Sequence, residues 1–444
     1  MSYYRLLIIF VLIIFTINCH SELSQPKVKS PNGRLQVELT ISEGHLLYTV
    51  TRDNKILFQP SRLGLIFKKQ EGFADHLTID GQSLNRFDET WEQPWGEEKF
   101  IRNHYNELTV EISSDLNPDA NMSVLFRVYD DGFAFRYSVS GNGDREEFIM
   151  LDELSEFAIA SDPESWWIKA YQWNRYEYLY EQSLLSEIDT VHTPVTMKVN
   201  PNLYLSIHEA ALTDYASMTI EQTGGNTLKC NLVPWADGTK VKGKFPLLSP
   251  WRTVQINDTA GGLISSYLIL NCNEPNKLTD VSWIKPGKYI GIWWGMHLGT
   301  MTWYEGDIHG ATTDNSKEYI NYAAEFGFDG VLIEGWNKGW NSDWFKDGNV
   351  FSFTESFKDF DLDAITEYGK QKDIKVIGHH ETSAAIGNYE DQVDAAFKLY
   401  QEHVIETIKT GYVGHGTDIV PVGGKPGDHE WHHDQYMVNH YRDI

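Results

Sequence analysis

The sequence predicts a multidomain β plus α/β protein: an N-terminal antiparallel β-sandwich followed by the first half of a (β/α)8 TIM barrel. Three observations predict this class. From about Val28 to Cys272, apolar and polar residues alternate with period two, as half-buried strands do. Beyond about Lys285, short apolar runs alternate with amphipathic helical stretches, which implies parallel strands joined by right-handed crossovers. Between the two, Asn273-Glu-Pro275 and Lys285-Pro-Gly287 punctuate the chain as a domain boundary. The expected division is residues 1–19 as a signal segment, 25–275 as the sandwich and 276–444 as the barrel.

With 444 residues the chain exceeds one ordinary core and fits roughly two to three domains. The balance of 41% hydrophobic and 23% charged residues is that of a globular protein. Fifteen Trp, 23 Tyr and 21 Phe suit stacking on sugar faces and equally suit the filling of large β cores. A net charge of -26 repels polyanions, so nucleic acid and anionic membrane surfaces are excluded as partners. Met1 to Arg5 followed by the apolar run Leu6 to Phe15 reads as a secretory signal, too short for a spanning helix of about 20 residues. An exported protein is expected, periplasmic or associated with the outer membrane of a Gram-negative bacterium. Cys19 directly after this run is similar to a bacterial lipoprotein processing site, so a lipid anchor there and plain cleavage both remain open. Cys230 and Cys272 fix no disulfide.

In chain order, Leu35, Val37, Leu39 and Ile41 alternate with polar residues and turn at Ser42-Glu-Gly44 into Leu46 to Val50, a hairpin. Val124, Phe126 and Val128 repeat the form, turning at Asp130-Asp-Gly132 into Phe133, Phe135, Tyr137 and Val139. Leu108, Val110 and Ile112, Leu203, Leu205 and Ile207, and the run Leu263 to Leu270 are read as further strands. After the boundary, Tyr289 to Trp294 is a strand and Thr313-Asp314 opens a helix. Gly330 to Glu334 is the second strand, Asp363 to Lys372 a helix, and Ile374 to Glu381 the third strand. Asn388 to Glu406 is a helix, Thr407 to Val413 the fourth strand, and His432 to Tyr441 the start of a fourth helix. Four such units do not close an eight-stranded barrel, so a truncated catalytic domain is expected.

Chemistry concentrates where apolar strands end in ionisable residues, the position of active sites in α/β barrels. The third strand ends in His379-His380-Glu381; period two puts His379 and Glu381 on one side and His380 on the other. Glu334, ending the second strand in Ile333-Glu-Gly-Trp336, could hold a sugar hydroxyl while Trp336 offers a ring face. Lys409, near the end of the fourth strand, could bond a hydroxyl or lower the pKa of a neighbouring carboxylate. The bland reading of each is a solvated rim. His429-Glu-Trp-His-His433 satisfies the zinc-protease spacing, but Gly423-Gly-Lys-Pro-Gly427 precedes it, and that motif needs a mid-helix site.

The runs Trp283 to His297, Asp329 to Asn337, His379 to Ser383 and Lys409 to Val413, with His208 to Leu212 and Pro250-Trp-Arg252 in the sandwich, resemble glycoside hydrolase family 97. The resemblance implies bacterial, exo-acting, calcium-using α-glucosidases or α-galactosidases with a sandwich, a barrel and a small C-terminal β-domain. It implies that Glu381 is the base of the inverting α-glucosidase branch, because Gly411 stands where the retaining α-galactosidases carry an aspartate nucleophile. An inverting base sits about 6.5–9.5 Å from its acid, leaving room for water. By the same resemblance Glu334, His379 and Lys409 hold the terminal sugar of a starch-type oligosaccharide, and Glu177, with Glu181 nearby, supplies the sandwich's ligand to Ca2+. The general acid and remaining calcium ligands would lie beyond Ile444, so this stretch alone is expected not to hydrolyse glycosides. A retaining α-galactosidase and a non-catalytic carbohydrate-binding fragment are the alternatives.

Overall fold

The computed structural model describes residues 25–68, 72–118, 120–141, 146–172, 177–413, 419–424 and 430–444. Cys19 and His429 lie outside them. The N-terminal part is β-rich: sheets of four, three, four and ten strands, all paired antiparallel, their layers consistent with a sandwich. The first expected hairpin forms as Leu35–Ser42 and His45–Arg52, with Leu39 opposite Tyr48. The second forms as Met122–Tyr129 and Gly132–Val139, with Phe126 opposite Phe135. Alternation works because one face of each strand joins a single core that includes Tyr48, Phe126, Phe133 and Phe135.

Across that core runs a buried ion cluster. Arg252, on the strand Trp251–Asn257, grips Glu153 through Nε at 2.8 Å and Nη2 at 2.6 Å and reaches Glu209 through Nη1 at 2.6 Å. Arg252 and Glu153 are fully buried. Glu153 lies on Glu147–Glu153 of the three-stranded sheet, whereas Glu209 and Arg252 lie on adjacent strands of the ten-stranded sheet. Burial opposes both charges of the close pair, but their attraction outweighs it, so the Glu153 carboxyl falls and the Arg252 guanidinium rises from its ordinary value. For Glu209, burial wins and its carboxyl rises. Ser155 and Tyr215 hydroxyls donate to Glu153, and the Met218 N–H donates to Glu209, so the cluster is satisfied as buried charge requires.

After Asn271 the chain runs without a helix or strand until Tyr289. Four parallel strands then lie side by side in chain order: Tyr289–Gly291, Gly330–Leu332, Lys375–Glu381 and Ile408–Gly411. The connecting helices are Thr313–Phe326, Leu362–Lys372 and Ile386–Glu402, and Gln435–Asp443 follows the last strand. Three start on side-chain caps: Thr312 accepts from the Asn315 N–H, Asp361 from Ala364 and Asp434 from Met437.

Four sequence readings are corrected. Leu263 to Leu270 is not a strand: it forms the short helices Ala260–Ile264 and Leu268–Asn271. Thr259 caps the first, and Leu268 and Cys272 pack onto Trp251 on the outer face of the ten-stranded sheet. Tyr289 to Trp294 is strand only to Gly291, because a helix spans Trp293–His297. The helix read to Glu406 ends at Glu402, where Val404 takes a left-handed φ of 57°. The last helix begins at Gln435 rather than His432, since Asp434 is its cap.

Removing the shared cation leaves two carboxylates buried without compensation. Arg252→Ala is expected to lower stability by about 3–5 kcal/mol in urea unfolding; a loss below about 1 kcal/mol would show that the cluster does not tie the sheets.

Candidate active site

The third parallel strand turns polar at its carboxyl end, and its register decides what surrounds each side chain. His379 pairs with Lys409, His380 with Thr410 and Glu381 with Gly411. Period two sends His379 and Glu381 to one side. His380 goes to the other, stacked on Tyr400 at 4.8 Å with Nδ1 against the Tyr389 hydroxyl at 3.0 Å. It is fully buried and burial lowers its pKa to about 3, so it serves as core.

On the other side three expected residues meet. Lys409 Nζ is 3.2 Å and His379 Nε2 3.5 Å from the same oxygen, Glu334 Oε1. Burial, with a smaller push from Lys409, lowers the His379 pKa to about 3, so the ring is neutral. Its Nδ1 is buried without a hydrogen-bond partner among the described residues. The strand that carries it is braced by the Tyr400 hydroxyl, which accepts from the His379 N–H at 3.1 Å and donates to its carbonyl at 3.2 Å.

Trp336 is a correction. It is 3% exposed, packed beside Phe360 and Tyr400, and its indole N–H donates to the His379 carbonyl at 2.9 Å. It supports the His379 peptide and offers no open ring face. The aromatic that lies along His379 is Trp340, stacked at 6.1 Å and in turn stacked with Trp303, and nothing in the strand pattern marked it.

Glu381 is 3% exposed. Its Oε1 accepts two backbone N–H groups, from Ser383 at 2.7 Å and Val413 at 3.0 Å. Ser383 reaches it from a strained turn, with φ of 46° at Ser383 and 61° at Ala384, which costs roughly 1–3 kcal/mol per residue. Oε2 faces the fourth strand at Gly411, where a Cβ would stand 2.2 Å from it. Burial raises the Glu381 pKa to about 7 against the pull of the two amides, with Glu334 adding to the rise and Lys409 opposing it. A cavity of about 70 Å³ lies beside this turn, lined by Lys346, Gly348, Ser383 and Ala384. A wider groove of about 620 Å³ lies at the opposite end of the strand, around Ile374, Val376 and Thr407, away from every candidate.

Glu177 is exposed. A calcium ion takes six to eight oxygens, and among the described residues no set of three or more His, Cys, Asp or Glu side chains converges on a cation site. His432 and His433 sit in a turn before the last helix, not on a helix as the zinc motif needs.

Antiparallel β layers, then a parallel sheet in chain order with Glu334, Lys409 and His379 gathered at its carboxyl end, give this chain the build of a glycoside hydrolase. Residues 28–275 match the glycosyl-hydrolase 97 N-terminal family and residues 293–444 the glycoside hydrolase 97 family. The chain belongs to glycoside hydrolase family 97. It is similar to a family 97 enzyme of Pseudoalteromonas sp. strain K8, solved with panose and with acarbose. Each of those structures is 44% identical with a TM-score of 0.91, over 94% of this chain and 63% of that one. A retaining alpha-galactosidase of Bacteroides thetaiotaomicron is 24% identical over 92% of this chain and 63% of its own length. A beta-arabinopyranosidase shares the fold alone, at 16% identity and a TM-score of 0.72. The chain spans 63% of the length of the curated and the closely similar solved relatives.

Two stability measurements probe this geometry without requiring turnover. Gly411→Ala pushes a methyl into Oε2, so it is expected to destabilise the chain, and less so on a Glu381→Ala background. The coupling should reach about 0.5–3 kcal/mol, and simple additivity would place the two groups apart. The raised pKa has its own signature. Between 4.5 and about 7 the folded state holds a proton that the unfolded chain has released, so stability falls as pH rises through that window, by about 3 kcal/mol at most. Glu381→Gln should therefore be the more stable protein at about pH 8, with the gap closing toward pH 4.5; a gap independent of pH would contradict the shift.

Proposed function

We propose that this chain is the substrate-binding and base-carrying part of an exo-acting glycoside hydrolase that releases glucose from α-glucosidic, starch-type oligosaccharides with inversion. In this reading Glu381 takes a proton from the water that attacks the anomeric carbon. Glu334, Lys409 and His379 hold the terminal sugar. Because Oε1 is occupied by two amides, Oε2 is the oxygen that receives the proton. The four parallel strands are the first half of a (β/α)8 barrel, and the activity belongs to a polypeptide extended to the relatives' length.

The pairing of Glu381 with Gly411 carries the proposal. By the resemblance, the retaining branch of the family carries a nucleophilic carboxylate where the fourth strand ends, yet any side chain at Gly411 would start against Glu381 Oε2. Two further observations support it. The neutral His379 and the Glu334–Lys409 pair offer donors and acceptors for sugar hydroxyls, and a relative of 44% identity was solved with panose and acarbose. A retaining α-galactosidase is the alternative, favoured by the B. thetaiotaomicron relative. A carbohydrate-binding fragment without turnover stands outside the enzyme class. Calcium enters as a proposal: Glu177 gives one ligand and residues outside this chain the others. Export through the N-terminal signal, with or without lipid at Cys19, completes the reading.

The extended protein tests this directly. NMR of the released sugar should show β-glucose first, whereas an α-anomer or galactose would sink the reading. Glu381→Gln should cost roughly 10²–10⁴-fold in kcat, the usual size of general-base catalysis. The acidic limb of kcat/KM should lie near 7, because only the deprotonated carboxylate accepts a proton.

A further inference from the structure

The two amides on Glu381 are held very differently. Ser383 belongs to a turn closed from several sides: Thr382 donates to the Gly411 carbonyl through its N–H at 2.9 Å and its hydroxyl at 2.8 Å, and the Ala385 N–H returns to the Thr382 carbonyl at 2.9 Å. Val413 lies past Gly411, the last paired residue of the fourth strand, and is 45% exposed. Its N–H is fixed in space through the residue before it. The Tyr412 ring packs against a buried cluster of Ala384, Ile386, Ile419 and Met437, and its hydroxyl meets His440 Nε2 at 3.0 Å.

His440 is 3% exposed, and its other ring nitrogen, Nδ1, meets Glu390 Oε1 at 2.8 Å. Burial lowers the pKa of this ring despite the Glu390 charge, so it is neutral with one N–H. That proton belongs on Nδ1, because a carboxylate oxygen accepts and does not donate. Nε2 then accepts from Tyr412, and the chain of donors runs from the Tyr412 hydroxyl through the imidazole to Glu390. The second Glu390 oxygen accepts from the Tyr436 hydroxyl at 2.7 Å. The helix that carries His440 is itself pinned to the sandwich. The Gln435 side chain accepts from the Trp235 indole and the Lys242 N–H, and donates to the Lys242 carbonyl and to Asp214.

We propose that Tyr412, His440 and Glu390 are positioning residues for Glu381: they hold the 412–413 peptide so that the Val413 N–H stays on Oε1 and the proton is left to Oε2. This rests on reading Glu381 as the base. The network touches no sugar. Its effect is to fix the orientation of the carboxylate and to supply one of the two hydrogen bonds that stabilise its charged form. The other groups acting on the titration are Glu334 and Lys409 on Glu381, Glu381, Glu390 and Tyr389 on Tyr412, and Glu390 and Asp443 on His440, which in turn acts on His432. None of these is altered in Tyr412→Phe or Tyr436→Phe beyond the residue replaced, and His440→Ala removes only the imidazole.

The test compares Tyr412→Phe and His440→Ala with Tyr436→Phe, which deletes an equal hydroxyl bond to Glu390 but not the link to Val413. In the 444-residue chain labelled with carboxyl-13C glutamate, the Glu381 resonance is identified by its loss in Glu381→Gln. Its titration midpoint should rise by about half a unit or more in Tyr412→Phe and His440→Ala and stay in place in Tyr436→Phe. In the extended protein the acidic limb of kcat/KM should move up with it while KM changes less than about twofold. Unmoved midpoints in Tyr412→Phe, which keeps the ring and its packing, overturn the proposal, and so does an equal shift in Tyr436→Phe. If Glu381→Gln keeps full activity, the base reading fails instead, and the titration still decides whether the network positions the carboxylate.

Discussion

The parallel register that sets Glu381 opposite Gly411 governs the rest of the site. In a parallel pair, side chains on the same face of neighbouring strands compete for the same space. A carboxylate as long as glutamate can lie over the fourth strand only where that strand has no Cβ. Glycine there makes room for Oε2, while the Ser383 and Val413 N–H groups converge on the other oxygen, Oε1. One residue of slip would set Thr410 or Tyr412 opposite the carboxyl and put a Cβ where Oε2 now lies.

Such a register needs a rigid frame, and the frame extends into the sandwich. Arg252 joins the three-stranded sheet to the ten-stranded one through Glu153 and Glu209, and the Met218 N–H brings in a third sheet. From the far side of that structure, Asp214, Trp235 and Lys242 receive Gln435, and the Ser217 N–H binds the His433 carbonyl at 3.0 Å. The Arg252 cluster is made where water is excluded, so losing one partner there strands the other, and the cost falls on geometry as much as on stability. The sandwich thus fixes the last helix, and the last helix faces the strand end where the acid sits.

Much of this was legible in the sequence, and what escaped did so for physical reasons. The Leu35 and Val124 hairpins followed from alternation because each strand buries one face. The parallel strands and the meeting of Glu334, His379 and Lys409 followed from where apolar runs end. Leu263 to Leu270 misled because a short apolar run has no period of its own, and the sheet face beneath it selected two helical turns. Trp336 misled because an aromatic beside a strand-end acid has the same sequence signature whether its ring faces solvent or core. The Ser383 and Val413 amides carry no side-chain signal, and the Tyr400 brace of His379 acts across a whole helix. Contacts made by backbone, or chosen by packing, leave no residue type to read.

The charge pattern at the strand end gives the site a direction. Burial makes every ionised group there costly, and the sequence meets that cost unevenly. Glu334 is given Lys409 as a close partner, and His379 is kept neutral by burial. Among the described residues Glu381 has no cation in contact; it has two amide dipoles on one oxygen and a pKa lifted to about 7. A carboxylate paired to an ammonium is a poor proton acceptor, whereas one held only by neutral donors, with an unshared oxygen, accepts a proton readily near neutrality. Two acids, one just past the second strand and one ending the third, are thereby set apart. The one bound to Lys409 is held by an ammonium, and the one beside Gly411 is left able to take up a proton.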